Sequence, residues 1–356
     1  MSRVLLVDWL GRGGIAHTTG AWADTLTAAG AEVVVATRPG RELDEVAARV
    51  VPGPSSRGGR LGAHAALARA AARLIADWRP DLVVVQNFVV APLERPVQVA
   101  ATRAGARLVH VIHDHRLHSP LAGTRAGLRF ALRAADEVWA HTQFVARAVA
   151  AYAGRPTRVV PLPVPPALVR APLAPRSPAS TPVRRAVHFG ILKRGYKGTD
   201  RVLALAKAGV PGWRFHILGV GAPAGAPGLE ASPGFVDAAD LVAAVSAADA
   251  TLLPYRLASQ SGAVTLAQAL GAVPVASAVG GIPEQIHDGV DGLLLPHGAD
   301  LAAWRAALDR LARDPEATAA MARAGAGRVW EGHHAFQAAV RVLAGVGTGA
   351  SPPWGP

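Results

Sequence analysis

No cysteine occurs among the 356 residues. Disulfides, thiolate metal sites and a cysteine nucleophile are therefore excluded, and a reducing cytoplasm fits. Aromatic residues make up only 5% of the chain, and acidic residues are outnumbered: 25 Asp and Glu stand against 37 Lys and Arg, a formal charge of +12. Long apolar runs are also missing. The first one contains Asp8, and the run from Leu82 to Val90 is broken by Gln86 and Asn87, so neither a signal peptide nor a transmembrane helix is expected. The arginines are scattered rather than blocked with aromatics, and no zinc-finger or RNA-module spacing occurs, which argues against nucleic acid as a partner. The charge suits small anionic ligands better. It leaves peripheral contact with an anionic membrane open, although no single basic amphipathic helix makes that case.

What the chain does contain is Ala, Gly, Val and Leu, with hydrophobic residues at 51%. That composition suits parallel sheets buried under Ala-rich helices, and the length suits two domains. Short β-branched runs alternate with amphipathic stretches in the first half: strands are expected near Val4–Val7, Glu32–Ala36, Leu82–Val85, Leu108–Ile112, Glu137–Ala140 and Arg158–Val160. A Pro-rich stretch then interrupts the pattern, because proline removes backbone donors and disfavours helix and strand alike. The alternation restarts with strands near Ala186–Phe189, Arg214–Leu218, Thr251–Leu253, Val273–Ala276 and Gly292–Leu295. These readings divide the chain into a first domain (1–165), a linker (166–183), a second domain (184–330), a C-terminal helix that packs back on the first domain (331–345) and a disordered tail (346–356).

Ligands of open parallel sheets bind beyond the carboxyl ends of the strands, so the loops there are the places to look. After the first strand, Gly11, Gly13 and Ala16 formally match a dinucleotide fingerprint. The second strand, however, ends in Thr37-Arg38, where an NAD site expects a ribose-binding acid. Gly13-Gly14 fits equally well a loop that approaches a phosphate or an acceptor. After the strand ending at Ile112 come His113 and His115, proton shuttles or ligands without a third acidic partner to complete a metal set. The segment from His188 to Asp200 places Lys193, Arg194 and Lys197 around Gly190, Gly195 and Gly198, a basic turn suited to a pyrophosphate. Ser261-Gly262 opens a helix near Ala263–Leu270, with a hydroxyl cap and an N-terminus suited to an anion. Gly280-Gly281-Ile282-Pro283-Glu284 forms a second turn ending in a carboxylate.

Taken in order and spacing, Gly190, Lys197-Gly198, Pro254, Ser261-Gly262, Pro274-Val275 and Gly280–Glu284 resemble family 4 of the retaining, sugar-nucleotide-dependent glycosyltransferases, glycosyl transferases group 1. The resemblance spans nearly the whole chain. It implies an α/β fold of two Rossmann-like doubly wound domains facing a central cleft, the fold called GT-B. It further implies a metal-independent enzyme with no cofactor, taking a nucleotide-diphosphate sugar as co-substrate and a carbohydrate, lipid-linked or small-metabolite acceptor. By resemblance, His113, Lys197 and Glu284 are the catalytic candidates. The donor would be held by Gly13, Gly14, Gly190, Lys193, Arg194, Lys197, Gly198, Ser259, Ser261, Gly262, Ala263, Val264, Gly280 and Gly281. The pattern departs from the family at three places: Ile191 stands where an Arg is usual, and Ser259 and Ala267 stand where two Glu are usual. The alternatives are a nucleotide-sugar-modifying or NAD(P)-dependent enzyme on a similar fold, and a degenerate nucleotide-sugar-binding subunit.

Overall fold

The computed structural model describes residues 1–39, 43, 46, 48–53, 59–114, 124–170, 183–192 and 195–346. These form two compact units: one holds Met1–Pro166 together with the chain from His333 onward, and the other holds Ala167–Gly332.

In the first unit the strands are β1 (Arg3–Asp8), β2 (Glu32–Thr37), β3 (Arg49–Pro52), β4 (Leu82–Gln86), β5 (Arg107–Ile112), β6 (Glu137–Ala140) and β7 (Arg158–Val159). They make a seven-stranded parallel sheet in the order β3-β2-β1-β4-β5-β6-β7. Helices α1 (Gly13–Ala28), α2 (Gly59–Trp78), α3 (Ala91–Ala104), α4 (Thr124–Ala134) and α5 (Gln143–Ala153) connect them, and α6 (Pro166–Arg170) follows. Successive residues of β1 enter different cores. Leu5 and Val7 join one cluster and Val4 and Leu6 the other, because a sheet wrapped on both faces has no polar side. The second cluster is closed by Trp22 of α1, which packs 5.3 Å from Trp139 and edge-on, at 5.7 Å, to Phe336.

The second unit has β8 (Arg184–Phe189), β9 (Trp213–Gly219), β10 (Leu229–Pro233), β11 (Ala250–Leu253), β12 (Val273–Ser277) and β13 (Leu293–Leu295). Their order is β10-β9-β8-β11-β12-β13, and all pairs are parallel. Its helices are α7 (Thr199–Ala208), α8 (Ala238–Ser246), α9 (Gly262–Ala269), α10 (Ile282–Gln285), α11 (Leu301–Arg313) and α12 (Pro315–Leu343).

Several elements differ from the sequence reading. The edge strands β3 and β10 were not expected: they are short and partly exposed, and only their pairing with β2 and β9 makes them strands. The start of the Pro-rich stretch is helical. Pro166 sits at the first position of α6, where a missing N–H costs nothing, and Leu168 is buried. The rest of that stretch, 171–182, lies outside the described residues, as does the tail from 347. The final helix begins at Pro315 rather than at 331. Its Gly325 weakens the helical pattern but sits in close packing, since a Cβ there would lie 3.1 Å from Gln268 Cγ. Phe336, Val340 and Leu343 of this helix are buried in the first unit.

Candidate functional site

Each sheet reverses its strand order once, between β1 and β4 in the first unit and between β8 and β11 in the second. Loops diverge at such a switch point and leave a crevice for a ligand. The predicted site residues follow the carboxyl ends of strands at or next to these two points: β1 and β5 in the first unit, and β8, β11 and β12 in the second.

In the second unit, the loop after β8 lies across the segment after β11. Gly198 has φ +69°, and a Cβ there would fall 1.9 Å from the Pro254 carbonyl oxygen, so only glycine allows the crossing. Arg256 fastens it: its N–H donates to Tyr196 O at 2.7 Å, and its guanidinium reaches Gly195 O and Asp200 Oδ2, each at 2.6 Å. The hydrogen bond from Arg256 holds the Asp200 carboxyl below the usual range. Lys197, half-buried in the 3-10 turn Gly195–Lys197, donates from Nζ to Tyr255 Oη at 2.9 Å. Its ammonium also lies 4.1 Å from the centroid of that ring. Ser261 caps α9, its Oγ accepting from Ala263 N at 3.2 Å while donating to the same Tyr255 Oη at 3.3 Å.

The turn after β12 is tied to this cluster by Gln285. Its Oε1 accepts from Ser261 N at 2.7 Å, and its Nε2 donates to Ser261 O at 3.1 Å. Gly280 takes φ +56°, and Gly281 O accepts from Glu284 N at 3.2 Å, which places half-buried Glu284 in the first turn of α10. Arg328 donates to Glu284 O at 3.4 Å. Lys197, Gly198, Ser261, Gly262, Ala263, Gly280, Gly281 and Glu284 thus belong to one group of neighbouring loops. Gly190, with φ +122°, begins the first of them. Val264 turns its side chain into the core beside Tyr255 and Ile282, and Ser259 is buried. Ala267, at one of the two missing Glu positions, is fully buried. Lys193 and Arg194 lie outside the described residues. His188, on β8 below the loop, donates from Nδ1 to Leu252 O at 2.8 Å and pairs through Nε2 with Thr199 Oγ1 at 3.0 Å. Burial, with Lys197 nearby, pushes it down to about 4, so it is neutral at pH 7.

In the first unit the loop after β1 turns around Asp8. Its buried carboxylate accepts from Leu10 N at 2.8 Å, Gly11 N at 3.0 Å and Thr19 Oγ1 at 3.1 Å. Desolvation outweighs these bonds and raises its pKa. Gly13 and Gly14 lie past this turn, where an added Cβ would meet nothing within 4 Å. His113 follows β5 and is held from two sides: Nε2 donates to Gln86 Oε1 at 2.9 Å, and its N–H donates to Asn87 Oδ1 at 3.4 Å. Its ring lies 5.0 Å from that of His141, which pairs through Nδ1 with Val160 O at 3.1 Å. Burial, reinforced by the other imidazole, pushes His113 down to about 3. A neutral imidazole with its proton on Nε2 leaves Nδ1 the basic nitrogen. His115 lies outside the described residues. Among the described residues, no group of three or more His, Asp or Glu is placed to hold a metal ion, and no helix is long and apolar enough to cross a membrane.

Sequence reasoning missed Tyr255, Arg256, Gln285, Gln86, Asn87 and His141. The one available signal was Tyr255, one of only three tyrosines, standing directly after a strand and a proline.

Comparison with known families and structures identifies the family and the fold. Residues 13–165 match the family described as "Glycosyl transferase 4-like domain", and residues 184–314 match "Glycosyl transferases group 1". No curated relative matches the sequence. Among solved structures, Anabaena HepE in complex with UDP-glucose is similar with a TM-score of 0.71 and 17% identity, covering 97% of this chain and 98% of that one. Sucrose-phosphate synthase from Thermosynechococcus elongatus is similar with a TM-score of 0.74 and 17% identity over 97% and 98% of the two chains. A glycosyltransferase from Rickettsia africae gives 0.74 and 15% over 96% and 97%. These likenesses show the shared fold.

Proposed function

The chain belongs to the group 1, family-4-type glycosyltransferases, and from that premise we propose that it moves a sugar from a nucleoside-diphosphate sugar to an acceptor with retention of configuration. The observation that carries this reading is the meeting of Lys197, the Tyr255 hydroxyl and the capped start of α9 at the switch point of the second sheet. A lysine ammonium and a helix N-terminus are complementary to a diphosphate, whose charge grows as the glycosidic bond breaks. No divalent metal or cofactor is needed for that charge.

The mechanism we propose is front-side displacement. The acceptor hydroxyl attacks from the face the diphosphate leaves, and the departing phosphate takes its proton while Lys197 stabilises the negative charge. By family resemblance Glu284 meets hydroxyls of the donor sugar and His113 lies near that sugar. The neutral state of His113 suits it to hydrogen bonding with an uncharged sugar rather than to holding a phosphate. Because Ser259 and Ala267 replace two carboxylates, Glu284 is the carboxylate left to bind the sugar hydroxyls. The UDP-glucose and UDP complexes of the similar HepE make uridine diphosphate sugars the first donors to test. The acceptor is a carbohydrate, a lipid-linked sugar or a small metabolite, and we place the reaction in the cytoplasm or at the inner face of a membrane.

Thermal denaturation with UDP, GDP, TDP, ADP and NAD(P) tests the reading. Stabilisation by a nucleoside diphosphate is expected, and a response to NAD(P) alone would overturn it. Nuclear magnetic resonance of the product anomer, with a matching sugar nucleotide, then tests retention. The missing carboxylates also support a second reading, a binding subunit without turnover, for which the nucleotide would stabilise the protein but no product would form.

A further inference from the structure

We propose that Tyr255 is a positioning residue of the donor site, its hydroxyl joining the Lys197 ammonium to the start of α9 so that both act on one diphosphate. This rests on the donor-site reading above and assigns Tyr255 a role that reading leaves open.

The argument begins with hydrogen-bond roles. An ammonium can only donate, so at 2.9 Å the phenol oxygen accepts from Lys197. Ser261 Oγ donates to the same oxygen at 3.3 Å and accepts from Ala263 N at 3.2 Å. One atom therefore takes a bond from each half of the anion site.

The anchor is rigid and the lysine is not. Tyr255 is 1% exposed and its ring packs among Leu253, Val264 and Ile282, which leaves the hydroxyl little freedom. A lysine on a four-carbon stem wanders unless something holds its end. A carboxylate would hold it more strongly but would also cancel its charge. A phenol oxygen orients the ammonium and leaves the charge for the ligand. The nearby acid, Asp200 in the first turn of α7, is meanwhile engaged by Arg256 at 2.6 Å.

The test is Tyr255→Phe, which keeps the ring and its contact with the ammonium and removes only the hydroxyl. Affinity is measured by calorimetric titration with UDP and by ligand-observed magnetic resonance with uridine, in the wild type, Tyr255→Phe, Lys197→Ala and the double variant. Losing a hydrogen bond to a charged group predicts roughly tenfold weaker UDP binding, with uridine binding and thermal stability unchanged. In the Lys197→Ala background the penalty shrinks. Unchanged or tighter UDP binding, an equal loss for uridine, or the same penalty without Lys197 would each overturn the proposal. A wild type that binds neither UDP nor GDP, TDP or ADP overturns the donor-site reading and this proposal with it. A wild type that binds UDP beside an unaffected variant overturns the role of Tyr255 alone.

Discussion

In the first unit the loop leaving β1 turns around its own anion: Asp8 takes the N–H groups of Leu10 and Gly11 and is itself buried. In the second unit the loop leaving β8 occupies the equivalent place beside the switch point and brings forward a cation, Lys197, oriented by a phenol. The cation is what sets the two loops apart, since His188 beneath the second is neutral as well. His110, His113 and His141 of the first unit are buried and neutral, with burial pushing them down to about 3, 3 and 4. A parallel sheet decides where a ligand can sit, because its strands end together and its loops part at one point. The side chains decide which ligand it is. A neutral polar edge suits hydroxyls, and a cationic edge suits a diphosphate.

Acid should separate the two units most strongly. Four histidines of the first unit, His110, His113, His141 and His333, sit at about 3, 3, 4 and 4 in the fold, mainly through burial, against His188 at about 4 in the second. Their unfolded values lie near 6.5. The unfolded chain therefore binds more protons between those limits, and stability present above pH ~6.5 is lost as pH falls. Each histidine tilts stability by up to about 1.4 kcal/mol per pH unit. Hydrogen exchange between pH 7 and 5 should show amides of β5 and β6 losing protection faster than those of β8 and β11. Equal slopes would mean that the two interiors do not differ in this way.

Lys197→Ala should lower turnover about 10²- to 10³-fold, the scale for removing a group that stabilises charge in the transition state. The melting temperature should hardly change, and steady-state kinetics beside a melting curve would check both. A fall in stability equal to the fall in activity would make the lysine a structural residue.

A pair of glycine substitutions sharpens the comparison at the backbone. Gly13 and Gly198 take nearly the same φ, +68° and +69°, but only Gly198 has a carbonyl oxygen 1.9 Å from where a Cβ would stand. Gly13→Ala should cost about 1 kcal/mol, the conformational penalty alone. Gly198→Ala should cost about 3 kcal/mol, since the crossing loop must also move. Urea unfolding distinguishes these, and similar costs would show that the loop yields freely. The smallest effect is expected from EDTA. If cations and a helix N-terminus carry the phosphate charge, turnover should be unchanged after chelation and dialysis, and a loss restored by Mg²⁺ would refute that.

Much of the architecture was legible because it is local. Val4–Val7 and Val273–Ala276 read as buried strands from their β-branched runs, and Ser261 read as a helix cap from its hydroxyl and the apolar stretch after it. The edge strands β3 and β10 did not, since partner strands rather than composition make them strands. The long helix α12 was under-read because Gly325 weakens a pattern that tertiary packing overrides. In the site, Lys197, Glu284 and His113 could be named through family resemblance. The groups that hold the first and last of these could not.

The sequence by itself determined two α/β domains, the absence of thiol chemistry and the loops in which the ligand groups would stand. Only the tertiary structure decided what those groups do to one another. Lys197 meets Tyr255 across 58 residues, Arg256 braces Gly195 across 61, and Gln285 closes on Ser261 across 24. Periodicity reports which face a residue takes within its own element. A hydrogen bond between loops depends on how neighbouring strands end, and that exists only once the sheet has formed.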